Sequence, residues 1–266
     1  MNRLEKMFKQ VGKDGGKAFV PFLPIGYPDL EGTAKLLAAV EDAGADAVEL
    51  GIPFSDSLAD GPVIQAAYHH ALSRGLTVAA IFSWLEEQRA KRKIPFALMS
   101  AFNIAHKLGL PEFASRCARA GIDAVIAPDL PVEESAALRR ELTAKKVCLV
   151  NLIAPTTPAR RAHRIAKAST GFVYYISRRG VTGTREDLDA DLRLVVLDLK
   201  RHAKVPVLVG FGISTPDQAH TVSQVADGVI VGSALVSTVK ENLKRDYVKA
   251  AGKLARELRR ACVLES

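Results

Sequence analysis

The sequence predicts an α/β fold, a (βα)8 or TIM barrel with extra short helices. Eight short runs rich in Val, Ile and Leu recur along the 266 residues, as expected for parallel strands that are buried on both faces. A helical pattern follows each run, and the chain length is typical of such a barrel. No linker or low-complexity segment divides residues 1–266, so we expect a single domain. An open doubly wound sheet is the structural alternative, because local periodicity does not determine closure.

Strands and helices alternate from the N-terminus onward. Each predicted strand is an apolar run between turn residues, and each helix has apolar residues three and four apart. A short amphipathic helix at 4–11 comes first. The strands are expected at 18–24, 47–51, 95–100, 124–128, 147–153, 171–176, 205–210 and 228–231. The helices are expected at 30–43, 63–74, 77–91, 110–120, 133–145, 157–168, 188–202 and 215–225, with one more from strand eight to the end.

Two helix starts have especially clear local signals. Thr157-Pro158 and Thr215-Pro216 each place a capping hydroxyl before a proline at the first helical position. Gln218, three residues after Thr215, completes a capping box. We therefore predict that both threonines cap their helices.

Composition argues against membrane, secreted and metal-binding classes. No apolar run approaches the roughly 18 residues of a membrane span, and the start MNRLEKMFKQ has no apolar signal core. We expect a soluble cytoplasmic protein. The three cysteines are widely spaced and odd in number, and the six histidines form no motif such as HExxH. The sequence therefore predicts neither a disulfide framework nor a metal site.

The formal net charge of +8 raises the question of nucleic-acid binding. The basic residues, however, are spread over several amphipathic helical patterns and have no interleaved aromatic residues. This distribution favours solvated helix faces with a general attraction for anionic substrates. No nucleic-acid partner is predicted.

The stretch 47–62, AVELGIPFSDSLADGP, carries the first candidate active-site residues. Glu49 lies among apolar residues of strand two, where burial raises the pKa of a carboxyl group and lets it carry a proton near neutral pH. Asp60 closes the following loop, just before a helix. Buried acids at strand ends also occur as structural caps, so this pattern alone leaves both roles open. Glu49 is the first candidate for proton transfer.

Glycine-rich loops after strands seven and eight indicate a phosphate site. Barrels of this class often bind phosphate there, and the loops read GFGIS (210–214) and GSA (232–234). Glycine permits close backbone approach, and the helix that starts after strand eight would direct free N–H groups at an anion. Either loop alone is equally consistent with a tight turn.

The loop after strand six, 177–187, has two glycines, three arginines and no packing pattern. It is longer than typical βα connections, which predicts a mobile lid over a ligand, although a solvated loop is the simpler alternative. The other residues predicted at the barrel mouth are apolar, so a flat hydrophobic group would fit between the acids and the phosphate loops. Core packing accounts equally well for each of them: Phe22, Leu98, Ile126 and Ile153.

Six sequence motifs carry a resemblance to a known family. They are PFLPIGYPD (21–29), VELGIPFSDSLADGP (48–62), PDLPVEE (128–134), YYISRRGVTG (174–183), VGFGIS (209–214) and VGSALV (231–236). The second and fourth are long enough to be specific. Together, in this order and across almost the whole chain, they resemble the tryptophan synthase alpha chain family.

The resemblance implies cleavage of indole-3-glycerol phosphate to indole and D-glyceraldehyde 3-phosphate, a retro-aldol reaction, with no cofactor in this chain. It also implies an α2β2 complex with a beta chain that carries pyridoxal phosphate. Glu49 matches the family's proton-transfer residue, and Asp60 matches the acid that holds the indole N–H. Tyr174 would orient the site, and Thr182 on the lid would contact Asp60. Gly183, Phe211, Gly212, Gly232 and Ser233 would surround the phosphate, and Phe22, Leu98, Ile126 and Ile153 would enclose the indole.

Three positions depart from the family pattern. Pro24 replaces a common threonine, which removes a hydroxyl near Asp60. Ser57 replaces the usual proline beside the retained Asp56, in the loop expected to face the beta chain. The stretch SAFNI (100–104) replaces a tyrosine-rich segment that also faces the partner. We expect catalysis to survive, and these changes bear on beta-chain binding and its coupling to the lid.

Three other functions compete with this interpretation. The chain could be a phosphate-ligand-binding subunit that mainly activates a partner, but such a subunit has no need of the buried Glu49. It could be a stand-alone lyase that releases indole. A different phosphosugar enzyme, such as an isomerase, would leave the Asp60 loop unexplained. Fold alone does not separate these functions, whereas the site residues do.

Overall fold

The computed structural model describes residues 1–57, 60–177, 185–210 and 212–262, with the backbone alone at 185–191. Its eight described strands are parallel and close into a barrel in chain order, since β1 pairs with both β2 and β8. This arrangement confirms the predicted (βα)8 fold and excludes the open sheet. The strands are β1 (Ala18–Pro24), β2 (Val48–Gly51), β3 (Phe96–Met99), β4 (Ala124–Ile126), β5 (Cys148–Ile153), β6 (Val173–Ile176), β7 (Val207–Gly210) and β8 (Gly228–Val231).

Twelve helices occur in the described residues and surround this barrel. Most begin and end within a few residues of the predicted bounds. They are α1 (Arg3–Lys13), α2 (Leu30–Asp42), α3 (Pro62–Ser73), α4 (Val78–Lys91), α5 (Phe102–Leu108), α6 (Leu110–Arg119), α7 (Ala136–Ala144), α8 (Ala159–Ala168), α9 (Arg185–His202), α10 (Pro216–Ser223), α11 (Ser233–Glu241) and α12 (Tyr247–Ala261). None of the helices in the described ranges has the length and hydropathy of a membrane span.

Two parts of the helix prediction were wrong. Helix α5 was not predicted, because its cap comes from far along the chain: the N–H of Phe102 donates to the carboxylate of Asp129 at 2.8 Å. The single C-terminal helix is in fact two, α11 and α12. The side chain of Asp246 accepts the N–H of Lys249 at 2.9 Å and starts the second helix. Helix α9 also begins inside the predicted loop 177–187, whose residues 178–184 lie outside the described residues.

The two predicted threonine caps differ in outcome. Thr215 caps α10 and forms the capping box with Gln218, as predicted. Thr157 does not cap α8, because its hydroxyl accepts the N–H of Ala154 at 3.1 Å instead. Pro158 takes the N-cap position of α8, and its carbonyl accepts the first helical hydrogen bond.

A repeated pair of hydrogen bonds joins each odd-numbered strand to the next even-numbered one. Just before each even-numbered strand lies a residue whose side chain accepts the backbone N–H of a residue near the start of the odd-numbered strand. The backbone N–H of the residue before the even-numbered strand also donates to the carbonyl of that odd-strand residue. Two strands are thereby held in register at the N-terminal end of the barrel. The pairs are Asp46 with Phe19, Asp123 with Phe96, Thr170 with Leu149, and Asp227 with Val207.

Candidate active site

Glu49 is a buried acid inside the barrel. It lies in β2 opposite Phe22 of β1, and only 1% of the residue is exposed. Neither carboxyl oxygen has a hydrogen-bond partner among the described residues. Burial, together with the nearby Asp60, raises the pKa of Glu49 to about 8. The Glu49 side chain therefore keeps its proton at neutral pH.

Asp60 is a second acid with a different protonation state. It is half-buried in the turn before α3, where its N–H donates to the carbonyl of Ser57 at 3.1 Å. Burial raises the pKa of Asp60 to about 6, and the Ser57 hydroxyl lowers it in part. At neutral pH Asp60 is mostly ionised. Two carboxyl groups whose pKa values are pushed apart are a common arrangement in acid–base sites.

Both acids line one pocket at the C-terminal mouth of the barrel. The pocket brings together seven of the predicted site residues, namely Glu49, Asp60, Phe22, Tyr174, Gly212, Gly232 and Ser233. Leu98, Ile126 and Ile153 are fully buried in their strands and are not among the described residues that line it. Thr182, Gly183 and Phe211 lie outside the described residues.

Several pocket residues were missed in the sequence. Ile64 lies four residues after Asp60, and Tyr68 a further four on, so the helical spacing of α3 was the available signal. Ile64 lines the pocket together with Met99, Ile213 and Ile230. Tyr68 is buried, and the charges of both acids contribute to its pKa.

Two buried tyrosines stand close to the acids. Burial raises the pKa values of Tyr68 and Tyr174 well above the ordinary value, and the charges of both acids add to this effect. Each phenol therefore stays protonated. Glycines make room for these rings: a Cβ on Gly51 would lie 2.2 Å from the Tyr68 hydroxyl, and one on Gly210 would lie 2.6 Å from that of Tyr174.

The predicted phosphate loops lie at the same mouth. Gly212 has a φ of +83°, a left-handed conformation that suits glycine. Gly232 is the N-cap of α11. Because glycine has no side chain, this residue cannot cap the first N–H groups of the helix. Such a helix start can accept an anion.

The residues predicted to face a partner lie on the loop between β2 and α3. Asp56 is exposed and accepts the Ser55 hydroxyl at 2.7 Å, and Ser57 is half-buried. Pro24 ends β1 beside Gly51. The SAFNI stretch leads into α5.

Known proteins resemble this chain along almost its whole length. The family model described as "Tryptophan synthase alpha chain" matches residues 8–262. The tryptophan synthase alpha chain of Prochlorococcus marinus (strain MIT 9313) is 44% identical over 259 residues, which is 97% of this chain and 94% of the relative. That of Chloroflexus aggregans is 41% identical over 97% of each chain.

Solved structures agree with this similarity. Tryptophan synthase subunit alpha from Legionella pneumophila str. Paris superposes with a TM-score of 0.90 at 34% identity, over 98% of both chains. Mycobacterium tuberculosis tryptophan synthase gives a TM-score of 0.89 at 31% identity, over 99% of both chains. The resemblance carried by the six motifs is thus confirmed, and the chain belongs to the tryptophan synthase alpha chain family.

Proposed function

We propose that this chain cleaves indole-3-glycerol phosphate to indole and D-glyceraldehyde 3-phosphate, a carbon–carbon lyase step in tryptophan biosynthesis. One observation supports this most strongly: a single pocket holds a carboxylic acid that keeps its proton and a carboxylate that is ionised. A retro-aldol cleavage of this substrate needs both forms at once.

The proposed reaction returns Glu49 to its starting state. Its carboxyl group donates a proton to indole C3, and the ring becomes an electron sink. The Asp60 carboxylate accepts the indole N–H and stabilises the positive charge on the ring. The Glu49 carboxylate then takes the proton of the side-chain hydroxyl as that oxygen becomes the aldehyde. The electrons of the broken carbon–carbon bond return to the ring, so no external acid or base is consumed.

The rest of the pocket would hold the two ends of the substrate. Gly212, Gly232 and Ser233, with the start of α11, suit the phosphate. Phe22 and the apolar lining suit the indole, and Tyr174 would orient it. Family likeness adds three residues outside the described ranges to this proposal: Thr182, Gly183 and Phe211. It also adds the buried Leu98, Ile126 and Ile153, which would enclose the indole together with Phe22.

We further propose a beta-chain partner in an α2β2 complex, with pyridoxal phosphate in the beta chain and no cofactor in this one. The loop that carries the exposed Asp56 and the half-buried Ser57 is the proposed contact region. Membership of an alpha chain family supports such a partner. The stoichiometry and the cytoplasmic location are expectations from the same family.

Indole release from indole-3-glycerol phosphate tests the proposal, with the purified chain alone and with a beta chain added. We expect slow release that the partner increases. Glu49→Gln removes the proton donor but keeps the shape, so release should fall at least about 100-fold. Glu87→Gln, an exposed acid on α4, is the matched control and should change little.

Two outcomes would favour the other functions, and a third would contradict the proposed mechanism. If no indole forms while a phosphate ligand still binds, the chain is an activating subunit. Fast release that a beta chain does not change identifies a stand-alone lyase. Activity that Glu49→Gln retains contradicts the assigned role of Glu49.

A further inference from the structure

Two imidazoles and a carboxylate meet on the outside of the barrel, between α8 and α9. His163 of α8 places Nε2 at 2.6 Å from Oδ2 of Asp198 on α9. His202, one helical turn after Asp198, places Nδ1 at 3.5 Å from Oδ1 of the same carboxylate. One donor atom from each of the three residues lies within 4.8 Å of the other two. The proposed lyase reaction uses none of these groups.

This set of donors suits a particular class of ion. Divalent metals of the later first row, Zn²⁺ above all, prefer imidazole nitrogens and accept a carboxylate oxygen. The three side chains are between 27% and 44% exposed, so an ion can reach them from solvent and complete its shell with water.

The distances require little movement to admit an ion. Metal–ligand distances of about 2.0–2.2 Å separate two ligand atoms by roughly 3 Å, so the 2.6 Å between His163 Nε2 and Asp198 Oδ2 widens by less than about 1 Å. The ion takes the place of the proton that Nε2 now donates to the carboxylate, and that proton is released to water. The two imidazole rings now stack, with centroids 3.6 Å apart and planes 11° apart. Both cannot bind one ion while stacked so closely, so one ring must rotate about its side-chain bonds.

A hydrogen bond of His202 decides which of its ring nitrogens is available to an ion. Its Nδ1 lies 2.9 Å from the Asp198 carbonyl, which can only accept, so Nδ1 donates and Nε2 is the atom left to bind the ion. Metal-binding histidines often donate the second ring N–H to a carbonyl in this way.

We propose that His163, Asp198 and His202 form a surface site for a divalent transition-metal ion such as Zn²⁺. The ion would link α8 to α9, the helices before and after β6, which carries Tyr174. The absence of a metal motif in the sequence does not argue against it. Asp198 and His202 are four residues apart on one helix, but His163 lies 35 residues before Asp198 in the chain and only the fold brings it close.

Titration calorimetry with ZnCl₂ tests the site, using the untagged full chain after treatment with a chelator. We expect saturable binding of one ion per chain. Co²⁺ as a second probe should give the visible absorption of a nitrogen-ligated ion. Zn²⁺ should also raise the thermal unfolding midpoint as its concentration rises above its dissociation constant.

Variants decide where the ion is held. His163→Gln and His202→Gln should each weaken Zn²⁺ binding at least about tenfold, as loss of a ligand or its support typically does. His69→Gln, an exposed histidine on α3, is the matched control and should bind like the parent chain. Unfolding midpoints without metal show that each variant folds.

Two results would overturn the site: no saturable binding by the parent chain, or binding that neither His163→Gln nor His202→Gln weakens. If one variant fails to fold, the stoichiometry and the Co²⁺ spectrum of the parent chain, together with the other variant, still decide the matter.

Discussion

At the scale of single residues, the chemistry depends on how two acids differ. Glu49 is buried without a hydrogen-bond partner in the described part of the chain, so desolvation dominates its pKa. Asp60 is only half-buried and has a hydroxyl beside it, so its pKa rises less. Two carboxyl side chains thus supply both the proton donor, Glu49, and the anion, Asp60.

This difference predicts a bell-shaped pH dependence of kcat/KM for indole release. Below about pH 6 Asp60 is protonated and cannot stabilise the ring, so the rate rises with pH through that value. Above about pH 8 Glu49 has lost the proton that indole C3 must receive, so the rate falls. Steady-state rates between pH 5 and pH 9.5 measure both limbs. A flat profile over the whole range from pH 5 to pH 9.5 would show that neither acid controls the rate.

At the scale of elements, sequence patterns gave the strands and most helices because their signals are local. The capping box of Thr215 and Gln218 lies within four residues and was predicted. Helix α5 was missed because the carboxylate that caps it, Asp129, is 27 residues away. The pairing of odd and even strands through Asp123 and its equivalents was missed for the same reason.

One such strand pair gives a stability prediction. Asp123 is buried, accepts the N–H of Phe96 at 3.1 Å and pairs with Arg3 at 3.2 Å. Asp123→Ala leaves that buried N–H without an acceptor and should reduce the free energy of unfolding by roughly 2–3 kcal/mol. Asp123→Asn keeps an acceptor oxygen and should cost less.

Urea unfolding of the three proteins measures these differences. An alanine variant as stable as the parent would mean that the side-chain interactions of Asp123 make no net contribution to the free energy of unfolding.

At the scale of the whole molecule, eight apolar runs predicted a barrel, but closure was not visible in them. Closure is the pairing of β1 with β8, which joins residues about 210 apart in sequence, such as Ala18 and Gly228. Functional residues, too, were predictable where they lie close together in the sequence and were not where only the fold joins them. Glu49 and Asp60 were found because one short stretch carries both, whereas His163 and His202 come together only in the fold. The extent of the domain, residues 1–266, stays a prediction.

The most direct test of the lyase proposal is the titration of Glu49 itself. Carbon-13 NMR of the chain labelled at its glutamate carboxyl carbons follows the chemical shift of each carboxyl group with pH. The signal that is missing from the Glu49→Gln spectrum is that of Glu49. We predict a midpoint at about pH 8, so that the carboxyl group is protonated at pH 7. A midpoint near the ordinary value of about 4.3 would contradict the account, because Glu49 would then have no proton to give.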